Sequence, residues 1–165
     1  MRLADKVQEW LDAKEWEDEI QRNEEDQVSQ MQCNYGINNQ QFRLYIETTE
    51  KKDWIEVYLY APIKVADKKK AESAILFNYI NSRISIGAVH FTPDGNIRFR
   101  HVIDVEDSEP SIKMIDNMLG SAVLFFENWF EEISAVALTK ITAQQVIDDL
   151  EKDDDEEDEE VPDEI

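Results

Sequence analysis

The chain has 165 residues, 42% hydrophobic and 10% aromatic, with four glycines and four prolines. That suits one domain with a single core and excludes a low-complexity chain. The net charge of −21 divides into −12 for residues 148–165 and −9 for the rest, so both parts repel phosphate, and nucleic-acid or anionic-membrane partners lack their main electrostatic attraction.

Residues 2–14 read as a helix, because Leu3, Val7, Trp10, Leu11 and Lys14 recur at helical spacing with charges between them. Charges interrupt every apolar run of the N-terminal segment, unlike a signal peptide. Trp16 is expected to fold back onto this helix. Residues 20–25 are polar and read as a strand end or a loop.

Three strands follow. The first is 28–35, closed by Gly36, Asn38 and Asn39 as turn residues. The second is 41–48, where Phe42, Leu44 and Ile46 alternate with Arg43, Tyr45 and Glu47. The third is 53–60, with Ile55, Val57 and Leu59 on one face and Trp54, Glu56, Tyr58 and Tyr60 on the other. Cys33, the lone cysteine, permits no internal disulfide and has no CxxC partner, which fits a reducing compartment and a cytoplasmic location.

Pro62 is expected to end this part of the sheet. Asp67 is expected to cap a helix running to about Asn81. Lys68, Lys69 and Lys70 crowd its first turn, against the helix dipole. A second hairpin pairs 85–92 with 96–104 around Pro93-Asp94-Gly95.

The longest element is a helix over about 109–137, with Asp107 or Ser108 as its cap and Pro110 in its first turn. Ile112, Ile115, Leu119, Ala122, Phe126, Trp129, Ile133 and Val136 run along it at alternating spacings of three and four. Met118, Phe125 and Phe130 widen that stripe, so one side is expected on the sheet and one on another protomer. Thr142 opens a last helix through Leu150. Beyond it lies a run of Asp and Glu that repels itself and is expected to be a disordered tail over 151–165.

The order of elements and several residues together resemble the YbjN family, described as bacterial sensory-transduction regulators. The matching residues are Trp10-Leu11, Trp16, Phe42-Arg43-Leu44, Pro62 and Asn78-Tyr79-Ile80-Asn81. They continue with Gly87-Ala88-Val89-His90-Phe91, Asp94-Gly95, Ile97-Arg98-Phe99-Arg100 and Thr142-Ala143-Gln144-Gln145-Val146-Ile147. Lys14-Glu15-Trp16 stands where the family typically has Gly-Trp. The resemblance implies an α+β domain over 1–150 like that of type III secretion chaperones. It has one antiparallel sheet of about five strands, with the N-terminal, middle and long C-terminal helices packed on it. It implies a domain that dimerises or holds other polypeptides, and it carries over no catalytic residues.

No chemistry-bearing motif stands out. His90 and His101, the only histidines, are too few for a structural zinc and read as ordinary strand residues. Asp153–Glu160 lacks the spacing and glycine of a calcium loop, and no phosphate-binding loop is present. No cofactor or metal is expected. Trp54, Tyr58 and Tyr60 read either as core or as an exposed aromatic face for a partner. With Leu119, Phe126, Trp129 and Ile133 of the long helix they form the expected partner-binding set. The expected function is a non-enzymatic protein-interaction module, chaperone-like or regulatory, acting as a homodimer or on protein partners. The alternative is a binder of basic proteins driven by the acidic tail, with Lys51, Lys52, Lys64 and Lys68–Lys70 as the domain's own positive clusters.

Overall fold

A computed structural model describes residues 1–106 and 108–159, with 153–159 by backbone alone. Its elements run α1 (Arg2–Ala13), β1 (Gln21–Asn23), β2 (Val28–Ile37), β3 (Gln40–Thr49), β4 (Trp54–Lys64), α2 (Lys70–Arg83), β5 (Ala88–Phe91), β6 (Asn96–Asp104), α3 (Ile112–Leu138) and α4 (Ala143–Glu159). The six strands make one antiparallel sheet in the order β1-β2-β3-β4-β6-β5. The strand beyond the expected five is β1, three exposed polar residues recruited by pairing with Val28–Gln30. No hydrophobic period marks so short an edge.

The strands alternate as their sequences require. Phe42, Leu44, Ile46, Ile55, Val57, Leu59, Ile97 and Phe99 all point to one face and are buried there. α3 lies across that face. Phe126 meets Phe42 at 4.8 Å between ring centres, and Phe125 stacks on Phe99 at 4.7 Å. α1 packs beside α3 with Leu3, Val7, Trp10 and Leu11 fully buried, and Trp16 returns onto Trp10 at 5.1 Å. Leu3 and Ala4 donate their free amide hydrogens to the Glu50 carboxylate, which caps α1 from the β3–β4 connection.

Four boundaries differ from the sequence reading. Pro62 does not end the sheet: β4 continues to Lys64 through an irregularity between Tyr60 and Lys64. The pairing of β4 with β3 has ended at Tyr60, so the missing proline amide costs no ladder bond there. Asp67 does not cap α2. It opens a 3-10 turn, Asp67–Lys69, and its carboxylate pairs with Lys70 at 2.7 Å.

α3 is capped by Ser111, whose hydroxyl accepts from the Met114 amide at 3.2 Å, and not by Ser108. Pro110 pushes the residue before it away from helical geometry, so the helix starts only after it. Asp107 lies outside the described residues. α4 extends past Leu150 to Glu159, since glutamate favours helix and propagation from a packed first turn is cheap. The remainder of the expected tail, 160–165, lies outside the described residues.

The lysines at the start of α2 have a use. Lys69 donates to the carbonyl of Ile141 at 3.0 Å and Lys70 to that of Pro93 at 2.7 Å. They tie the helix to the α3–α4 connection and to the β5–β6 turn, and the charge is spent on carbonyls instead of opposing the dipole unpaired.

Candidate functional site

The helices cover one face of the sheet; the side chains of the other face point away from them. Strand register sorts this open face into rows. Thr49, Trp54 and Asp104 lie side by side, then Glu47, Glu56 and Val102, then Tyr45, Tyr58 and Arg100. The next row spans five strands as Asn34, Arg43, Tyr60, Arg98 and His90. Carboxylates therefore sit toward one end, aromatic rings in the middle and guanidinium groups toward the other.

The middle rows are tightly bonded. Glu56 is 8% exposed, and its Oε1 accepts from the Tyr58 hydroxyl at 2.9 Å and from Arg100 Nε and Nη2 at 3.1 and 2.5 Å. Burial, and then the Glu56 carboxylate beside it, hold the Tyr58 phenol above its ordinary value. The Arg98 guanidinium lies over Tyr58 at 4.6 Å and near Tyr60 at 5.5 Å, with Tyr45 edge-on to Tyr60 at 5.3 Å. Its Nε donates to His90 Nε2 at 2.6 Å and its Nη1 to the Tyr60 hydroxyl at 2.6 Å. Burial, and then the positive charges of Arg98 and Arg100, push the His90 imidazole below its usual value, so it accepts as the neutral ring.

The expected partner set divides. Tyr58 and Tyr60 stand on the open face, and Trp54 stands at its acidic end with the Lys52 ammonium 4.6 Å from its ring centre. Leu119, Phe126 and Ile133 are 7%, 1% and 0% exposed, so their surface is spent on this chain's own core and not on a second protomer. The broad stripe of the long helix is broad because it packs on the sheet, α1 and α2. Trp129 is half-buried beside a shallow apolar depression with Ile84, Ile86 and Leu124. Leu124 and Ile86 are 56% and 54% exposed.

Arg43, Tyr45, Glu56, Arg98 and Arg100 were not expected as site residues, and His90 was weighed only as a metal ligand and read as an ordinary strand residue. Their signal was present: in Ile97-Arg98-Phe99-Arg100 the strand period puts both arginines opposite the core-facing Ile97 and Phe99. His90 and His101 face opposite sides of the sheet: His90 shares the open-face row with Arg98, while His101 sits opposite core-facing Val57 and contacts Ser121 Oγ of α3 at 2.9 Å. Among the described residues no group of three or more His, Cys, Asp or Glu is placed to hold a metal, and no helix is long and apolar enough to cross a membrane. Burial, and then Asp18, raise the Cys33 thiol to about 11, so the protonated form, the poorer nucleophile, prevails at neutral pH.

The family model described as "Putative bacterial sensory transduction regulator", YbjN, matches residues 3–135. The chain belongs to the YbjN family. No curated protein matches. Among solved structures, a chain of the HopA1-SchA chaperone-effector complex is similar at 12% identity, over 77% of this chain and 91% of that one, with a TM-score of 0.50. A chain of the ExsC-ExsE complex follows at 11% identity, covering 78% and 94%, with a TM-score of 0.49. YbjN from E. coli stands at 13% identity, covering 82% and 88%, with a TM-score of 0.48. The first of these likenesses shows the fold. This family member thus has the α+β, single-sheet, chaperone-like architecture that the resemblance implied, with six strands in place of about five.

Proposed function

We propose that the protein is a non-enzymatic interaction module, chaperone-like or regulatory, acting on other polypeptides in the cytoplasm. The observation that carries this reading is the one-sided sheet. Its open face presents Tyr45, Tyr60, Arg98 and Arg100, with Tyr58 buried beneath the Arg98 guanidinium; these are residue types that supply most of the energy at protein interfaces, preassembled by hydrogen bonds and ring contacts. Similarity to a chain of a chaperone-effector complex and membership of a family described as regulatory support the same reading.

Crosslinking in the native host, followed by mass spectrometry, tests it. Protein adducts should map to the open face. Recovery of no adduct above control, or turnover of generic ester or phosphoester substrates by the purified protein, would sink the proposal.

A homodimer belongs to the same proposal. Its support is Leu124, exposed on α3 between the depression at Trp129 and a second one lined by Trp10, Trp16, Tyr35 and Val123. Sedimentation should show a dimer that Leu124→Asp dissociates. A strict monomer at high micromolar concentration overturns this part.

A further inference from the structure

We infer that the basic end of the open sheet face, built on Arg43, Arg98 and Lys64, docks an acidic peptide segment of a protein partner. The inference rests on the interaction role proposed above and names the surface and the chemistry of what it takes.

The argument begins with charge. The chain carries −21, yet the five-strand row Asn34, Arg43, Tyr60, Arg98 and His90 contains two guanidinium groups and no carboxylate. Lys64 lines the same depression of about 640 Å3 as Arg43 and Tyr60, and the residues lining it include no acid. Among the described residues neither Arg43 nor Arg98 has a carboxylate partner, whereas Arg100, one row away, has Glu56. In an acidic protein such an unneutralised row is complementary to carboxylates supplied from outside. At physiological salt the screening length is about 8 Å, so the local row, not the distant net charge, sets the field at contact.

Preorganisation is the second part. Two of the three Arg98 nitrogens are held by His90 and Tyr60, and the plane lies over Tyr58. Nη2 has no partner among the described residues, and a guanidinium already held at two nitrogens loses less freedom on binding than a free arginine does. Next to Arg43 and Lys64, Ala61, Pro62 and Ile63 add apolar lining to the depression. An occupant that matches alternates carboxylates with apolar side chains. The open face of a second copy matches poorly. On its open face Glu56 is bound by Arg100 and Tyr58, Glu47 by Gln30, and Asp104 by the Glu106 amide.

The test uses the full chain and fluorescence anisotropy. One labelled peptide alternates glutamate with leucine, and its control carries glutamine at each glutamate. The acidic peptide should bind about tenfold tighter than the control. Arg43→Gln removes an exposed side chain with no hydrogen bond to lose, so it leaves the fold intact and should weaken the acidic peptide several-fold. Adding Arg98→Gln should bring it down to the control, and Arg98→Lys should restore part of the loss if charge is what is read. Equal affinity for the two peptides, or affinity unmoved by both substitutions, overturns the acidic occupant while leaving the interaction role standing. Binding of neither peptide also overturns it, and the crosslinking experiment above then decides the wider role separately. A dimer that Arg43→Gln dissociates would assign the row to a second copy instead.

Discussion

The indole Nε1 of Trp10 donates to the carboxylate of Asp116 at 2.8 Å, joining α1 to α3 across 106 positions of sequence. Lys14 reaches the same oxygen at 2.8 Å, and these two donors hold the Asp116 carboxyl below its ordinary range. Trp10 is fully buried, so removing its acceptor leaves a donor stranded. Asp116→Ala should cost about 1.5–3 kcal/mol in urea unfolding followed by tryptophan fluorescence. A change within experimental error would show that water replaces the carboxylate.

Two glycines should respond to alanine with opposite signs. Gly95 has φ +81°, and a Cβ there would lie 2.2 Å from the Val65 carbonyl oxygen, so Gly95→Ala should destabilise by about 2 kcal/mol or more. Gly120 sits exposed inside α3 with open space around it, so Gly120→Ala should stabilise by about 0.5–1 kcal/mol. Thermal melts of the two variants beside the parent protein check the signs.

Phe126→Ala should cost about 3–5 kcal/mol, because the ring is 1% exposed between Phe42, Phe125 and Phe130. Leu124→Ser, two residues away and 56% exposed, should change monomer stability by no more than about 0.5 kcal/mol. If the two costs are similar in denaturant titrations, the assignment of α3's inner and outer sides fails.

Acid should weaken the fold in a definite window. His90 and His101 are both held below the ordinary histidine value, His90 by burial and then Arg98 and Arg100, His101 by burial. The unfolded chain then binds more protons than the native one, so stability falls as pH drops below about 6.5. Asp116, held low by Lys14 and Trp10, adds a further loss as pH falls below about 4. Melting temperature measured from pH 7.5 to 5 should decline, and a His90→Gln/His101→Gln double variant should flatten that decline. An unchanged slope in the variant would place the proton uptake elsewhere.

Cys33 should alkylate slowly at neutral pH in the native protein and rapidly once unfolded, since its thiol is raised to about 11 by burial and then Asp18. Mass-spectrometric labelling with iodoacetamide, with and without urea, checks the contrast.

Much of this fold could be read from residue order alone. The alternation Phe42, Leu44, Ile46 against Arg43, Tyr45, Glu47 fixed both the strand and its inner face, and the turn residues Asn38 and Asn39 adopt the left-handed backbone that a two-residue hairpin requires. The three-four spacing located α3. What escaped depended on long-range partners. β1 exists only because β2 offers it an edge, and the cap at Ser111 was decided by Pro110. At the site, Tyr58 and Tyr60 were visible as an aromatic face, but their arginine partners lie on β6, some forty positions later, and only strand order brings them together. The interfacial reading of Phe126 and Ile133 failed to anticipate burial because an apolar stripe records that a face is covered, not by what.

The contact between α1 and α3 also orders events during synthesis. Leu3, Val7, Trp10 and Leu11 end fully buried, yet the helix that carries Asp116 is made long after them. At about 5–20 residues per second, those 106 positions take on the order of 5–20 s to emerge. For that interval the first helix lacks the partner that covers the Trp10 side of its apolar stripe, so a protein that we propose acts on other polypeptides itself needs cover while it is being made.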